Sequence, residues 1–144
     1  MTQSTRTTDE AGIIRWKLPN GKLHREDGPA IEWPDGTKEW FKHNLLHREG
    51  EPSVIRPGGE EWHINGNLHR DGGPAIIRPD RAMIWYQHGR IHREDGPAII
   101  NPDGSERWFI EDTEIENPSQ ITTELESKYP EFCGLFFIQY VMDQ

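Results

Sequence analysis

The chain has 144 residues, a formal net charge of −9 and one cysteine, Cys133, which excludes an intrachain disulfide. A chain of this length buries about two-thirds of its unfolded surface and folds without such staples. Residues 1–108 hold 15 Lys/Arg and 17 Asp/Glu, a net of −2, while residues 109–144 hold one Lys and eight acids, a net of −7. No basic stripe is present to displace the counterions of a nucleic acid, so that class of partner is not indicated.

In chain order, residues 1–11 are polar and Thr-rich and read as a disordered or extended N-terminus. They lack the apolar core of a signal peptide. The longest apolar cluster, Leu135 to Ile138, is far too short to span a bilayer. A cytoplasmic protein is the expectation.

Residues 12–116 repeat themselves. The four copies are NGKLHREDGPAIEWPDG from Asn20, HNLLHREGEPSVIRPGG from His43, NGNLHRDGGPAIIRPDR from Asn65 and HGRIHREDGPAIINPDG from His88. The anchor histidines His24, His47, His69 and His92 are spaced 23, 22 and 23 apart, and a fifth half-copy starts at Trp108. Such a period marks a repeat array whose units stack to bury their faces. Asn65-Gly66 is a strong two-residue hairpin signal, and His88-Gly89 serves similarly. Pro-Asp-Gly, as at Pro102-Asp103-Gly104, predicts a type I turn with a bulge. Arg-x-Asp-Gly-Pro between them reads as a rigid corner.

A two-residue loop fixes the register. It pairs Trp40 with His47, Trp62 with His69 and Trp85 with His92, and on the other face Phe41 with Leu46 and Tyr86 with Ile91. Trp16 lies eight residues before His24 rather than seven, so the first hairpin carries an extra residue or bulge. The fold class expected is mainly β: tandem β-hairpin repeats in a twisted, solenoid-like antiparallel sheet, with a C-terminal helical cap.

That cap is assigned to residues 117–144. Asn117-Pro118 is a helix start, an N-cap residue followed by proline at the first helical position. The apolar stretch after Pro130 covers an open sheet edge or forms a homo-oligomer or partner contact through Phe132, Leu135, Phe136 and Tyr140.

The sharpest candidate site is the ladder His24-Arg25, His47-Arg48, His69-Arg70 and His92-Arg93, beside Trp40, Trp62 and Trp85. Arginine can hold carboxylates or phosphates bidentately, and tryptophan can stack a base. The structural alternative is that each His packs on its cross-strand Trp while each Arg pairs with local acids such as Glu26, Asp27, Glu94 or Asp95. A residue present in every copy serves the repeat first. His43 and His47 lack a third ligand for zinc, and the Asp-Gly corners lack the carboxylate density of a calcium loop. Cys133 reads as a small apolar residue, and no nucleophile elbow or glycine-rich phosphate loop is present. No catalytic set, metal or cofactor is therefore expected.

The block Leu/Ile-His-Arg-x-Asp-Gly-Pro-Ala, at Leu23–Ala30 and Ile91–Ala98, with Trp85 seven before His92, resembles the MORN-like repeat proteins of bacteria, bacteriophages and giant viruses. The second copy departs, with Gly50-Glu51 for Asp-Gly and Ser53 for Ala. The Tyr-x-Gly pattern of MORN repeats proper is absent. The resemblance implies stacked hairpins and a non-enzymatic role, here a phage or microbial accessory protein. The functional expectation is a binding module for a protein partner, such as a host-defence protein. The alternatives are a sponge for a small anionic nucleotide signal, using the His-Arg/Trp ladder, and a structural part of a larger assembly.

Overall fold

The computed structural model describes residues 3–115. Strand β1, Thr5–Thr8, pairs antiparallel with β2, Ile14–Lys17, so the N-terminal segment is extended and contributes an exposed edge strand. Then follow β3 (Ile31–Glu32) and β4 (Lys38–Glu39). The second copy holds the short hairpin β5 (Phe41–Lys42) and β6 (Leu45–Leu46), then β7 (Val54–Arg56) and β8 (Gly59–Glu61). The third holds β9 (His63–Ile64), β10 (Asn67–Leu68), β11 (Ile76–Ile77) and β12 (Met83–Ile84). The fourth holds β13 (Tyr86–Gln87), β14 (Arg90–Ile91) and β15 (Ile99–Ile100), and the half-copy ends the described chain with β16 (Glu106–Ile110) and β17 (Thr113–Ile115).

Eleven of these strands form one open antiparallel sheet, ordered β1-β2-β3-β4-β7-β8-β11-β12-β15-β16-β17. The remaining six pair as three two-stranded hairpins, β5–β6, β9–β10 and β13–β14. Each repeat thus leaves the long sheet at its Trp, turns in a short hairpin, rounds the His-Arg corner and returns. Among the described residues no helix occurs. The expected helical cap falls on 117–144, outside the described residues.

The register is the one the loop length dictates. Phe41 faces Leu46, His63 faces Leu68 and Tyr86 faces Ile91. The N–H groups of His47, His69 and His92 donate to the carbonyls of Trp40, Trp62 and Trp85 at 3.0, 3.0 and 3.1 Å. In the first copy His24 N–H still reaches the Trp16 carbonyl at 3.1 Å. Its additional residue sits in the loop Pro19-Asn20-Gly21, where Gly21 has φ +86°. The four tight turns have positive φ at both central residues, for example 49° and 83° at Asn65-Gly66 and 46° and 67° at Glu111-Asp112. That is the type I′ geometry whose twist matches flanking strands.

The second turn also follows its sequence. Gly104 N–H donates to Asn101 O at 2.9 Å, Asn101 N–H to Ser105 O at 2.9 Å, and Gly104 has φ +86°. The Asp103 side chain accepts the Ser105 N–H at 2.9 Å. In the second copy Pro57-Gly58 is a two-residue loop between Arg56 and its partner Gly59. The missing residue there accounts for the single 22-residue step. The third copy places Arg81 at the left-handed position, φ +73°. Since that conformation costs an L-residue about 1 kcal/mol, Arg81→Gly should raise the stability of the chain by roughly 0.5–1 kcal/mol in urea titration. An unchanged or lower midpoint would contradict this.

Directly opposed residues share a face of an antiparallel sheet. One row runs Ile31, Glu39, Val54, Glu61, Ile76, Ile84, Ile99 and Arg107, with Ile31, Val54 and Ile84 buried. The opposite row runs Glu32, Lys38, Ile55, Glu60, Ile77, Met83, Ile100 and Glu106, and none of its members is buried. One rung inward, the Trp residues bond to Ala30, Ser53, Ala75 and Ala98, whose side chains are wholly buried.

Candidate functional site

The corner residue Arg lies over the Trp of its own copy. The guanidinium carbons of Arg25, Arg48, Arg70 and Arg93 stand 4.2, 4.0, 3.8 and 4.1 Å from the ring centroids of Trp16, Trp40, Trp62 and Trp85. Each Nη1 donates to the carbonyl of the corner proline four residues on, at 3.0–3.2 Å. The corner glycine makes room for this. A Cβ on Gly28, Gly73 or Gly96 would stand 2.7–2.9 Å from the guanidinium carbon. The second copy carries Glu51 at that position, and there the glutamate carboxylate itself pairs with Arg48. A cation over an indole face is stabilised by the ring quadrupole, by about 0.5–2 kcal/mol depending on exposure.

Arginine is thus the residue that stacks on each indole, and histidine reaches the next copy. The Nδ1 atoms of His24, His47, His69 and His92 accept the backbone N–H of His43, Asn65, His88 and Glu111 at 3.2, 3.0, 3.0 and 3.1 Å. These donors are the first residues of the four type I′ turns. An acceptor Nδ1 must carry its lone pair, which leaves the proton on Nε2. There it faces a carboxylate two residues on: Glu26 at 2.7 Å, Glu49 at 3.5 Å, Asp71 at 3.3 Å and Glu94 at 3.0 Å. The hydrogen bond to His24 holds the Glu26 carboxyl below its ordinary range, and the bond to Arg25 does so for Asp27.

Two backbone bonds complete every junction. The N–H groups of Arg25, Arg48, Arg70 and Arg93 donate to the carbonyls of Phe41, His63, Tyr86 and Phe109, and those of Asn44, Gly66, Gly89 and Asp112 to Leu23, Leu46, Leu68 and Ile91. The ladder therefore has two columns. Arginine ties each corner to its own indole, and histidine ties each copy to the next. In the half-copy Trp108 pairs with Ile115, which stands where the anchor His would be. Glu114, at the Leu position, is held by Arg107 in a bidentate pair at 2.7 and 2.8 Å. The histidine column ends at His92.

One junction is polar where the others are apolar. The buried rung residues Ala30, Ala75 and Ala98 donate their N–H groups to the carbonyls of Glu39, Ile84 and Arg107, each two residues before an aromatic, Phe41, Tyr86 or Phe109. At the second junction the pair is Ser53 and His63. Ser53 Oγ lies 2.8 Å from His63 Nδ1, both side chains are buried, and Glu61 stands 3.8 Å from His63 Nε2. Ser53 is fully excluded from solvent, so this Ser-His-Glu set is a structural pair without substrate access. Burial, with a smaller contribution from Arg56, pushes the His63 imidazole below its ordinary range.

Stacked corners leave grooves between copies. The one between copies three and four has a volume of about 840 Å³ and is lined by Arg70, Trp85, Gln87, His88, Arg90 and Arg93 among others. Its counterpart between copies one and two is about 510 Å³. A base stacked on Trp40, Trp62 or Trp85 from the arginine side would have to displace a guanidinium. Among the described residues no group of three or more His, Cys, Asp or Glu is placed to hold a metal. Among the same residues no helix is long and apolar enough to cross a membrane. Phe132, Cys133, Leu135, Phe136 and Tyr140 lie outside the described residues. No protein-family model matches the chain, and no curated protein or solved structure matches it.

Proposed function

We propose that the chain is a non-catalytic binding module that presents the open face of its repeat-built sheet to a protein partner. The observation that carries this is the row Ile55, Ile77, Met83 and Ile100, which stays at least partly exposed. On the same face Lys38 and Glu106 close its two ends, and Glu60 stands between Ile55 and Ile77. An apolar strip with a charged rim is the anatomy of a partner-binding surface. The ladder, by contrast, is occupied in holding the repeats. The MORN-like sequence block supports a phage or microbial accessory role, in which the bound partner is a host protein.

Ile77→Glu combined with Ile100→Glu tests the reading. The full chain should retain a stoichiometric partner from host lysate, and the double variant should lose it at least tenfold while melting cooperatively. Capture that is indifferent to the two substitutions would rule out this face.

A further inference from the structure

Three of the four ladder arginines carry a carboxylate. Arg25 and Arg93 receive theirs from Asp27 and Asp95, two residues on, at 2.8 and 2.9 Å from Nε. Arg48 receives its own from Glu51, three residues on. The third copy has glycine at both positions, Gly72 and Gly73. Arg70 is the exception: its side chain donates to the Pro74 carbonyl at 3.1 Å, and its own carbonyl accepts from Gln87 Nε2 at 2.8 Å. No carboxylate of the described residues pairs with it.

Its guanidinium is nevertheless held as firmly as the others, 3.8 Å from the Trp62 ring centroid. Copies one and four place an aspartate at the Nε of this arginine; in copy three that position is Gly72, with φ +78°, and a Cβ there would meet nothing within 4 Å. It borders the larger groove, about 840 Å³, within the roughly 300–1,000 Å³ typical of small-ligand sites. Arg90 lines the same groove with its side chain 61% exposed, and its ion pair with Glu111 is long, 3.9 Å. A planar guanidinium fixed by stacking, with no counter-ion among the described residues, is preorganised for bidentate oxyanion binding.

We infer that the groove between copies three and four is an oxyanion site, in which a carboxylate or phosphate on an organic body takes the seat of the missing aspartate on Arg70, opposite Arg90. Glu94, Asp95 and Glu111 also line this groove and select against polyphosphates. One oxyanion group therefore fits, with its body over Trp85 and Pro74. The site is independent of the partner-binding face, and each can fail without the other.

The test follows the side-chain Nε–H resonances of the 15N-labelled full chain. Phenyl phosphate in one arm and an acetylated aspartyl tripeptide in the other separate a small-molecule source from an acidic polypeptide. Either ligand should shift Arg70 saturably and leave Arg25, which lies outside this groove, unmoved. Gly72→Asp, which restores the sequence of copies one and four, should weaken the response at least tenfold, and Arg90→Gln severalfold. Gly72 has φ +78°, so Arg70→Gln replaces that variant should it fail to melt cooperatively. No saturable shift of Arg70 in the millimolar range, an equal response to chloride, or undiminished binding in a folded Gly72→Asp chain would overturn the inference.

Discussion

Ser53→Ala is expected to cost the full chain about 1–3 kcal/mol, and adding His63→Phe should return most of it, because removing one partner of a buried hydrogen bond leaves the other unsatisfied. The double variant places Ala and Phe at the positions that Ala30 and Phe41, and Ala98 and Phe109, hold in other copies, so it has a precedent within the same array. The pair should show a coupling of about 0.5–3 kcal/mol in a double-mutant cycle. A coupling near zero would mean that the 2.8 Å contact between Ser53 and His63 carries no energy. The same pair sets a pH dependence. Burial lowers the folded-state pKa of His63 from its ordinary 6.5, so above that value both states are neutral and nothing is lost. As pH falls below about 6.5 the unfolded chain takes the proton first, and stability declines until the folded-state pKa is reached. The double variant should lose this component of the slope between pH 7 and 5, measured by urea titration at each pH. An identical slope in both chains would assign the dependence elsewhere.

The second large effect is expected at the middle junction. His47→Ala removes the acceptor of the Asn65 N–H, and an unpaired part-buried donor costs about 1–3 kcal/mol. Because each copy touches only its neighbours, the loss is concentrated at one boundary and weakens communication across it. Urea unfolding followed by tryptophan fluorescence should therefore become broader, with a lower midpoint and a smaller m-value. His92→Ala, at the last latch, severs only the half-copy and should broaden the transition less. A sharp transition in both variants would show that the two backbone bonds per junction suffice for cooperativity.

Much of this architecture could be read before any coordinates. Loop length and residue type fixed the pairing of Trp40, Trp62 and Trp85 with their histidines, because side chains alternate with period two and a two-residue loop admits one register. The additional residue before His24 was visible as a spacing of eight. The side-chain roles were less legible. Period alone does not say whether His or Arg meets the indole. That choice depends on the corner turning the chain, and on a glycine three residues after the arginine that leaves space for the guanidinium. The histidine acceptors were hidden because their donors are backbone groups 18 or 19 residues later, which carry no side-chain signature. Ser53 and His63 each stood out as departures from the repeat. Only the fold places them together. Arg70 likewise became distinctive once the carboxylates of Asp27, Glu51 and Asp95 were located beside the other three arginines.

The backbone and histidine bonds shared by all four junctions make copy number a variable the gene can alter by in-frame duplication. Every complete unit offers these acceptors on one side and these donors on the other, so an inserted unit of 22 or 23 residues finds matching neighbours except between copies two and three, where it would part Ser53 from His63. A change in array length would leave the terminal hairpins intact, and with them Ile115 as the terminator.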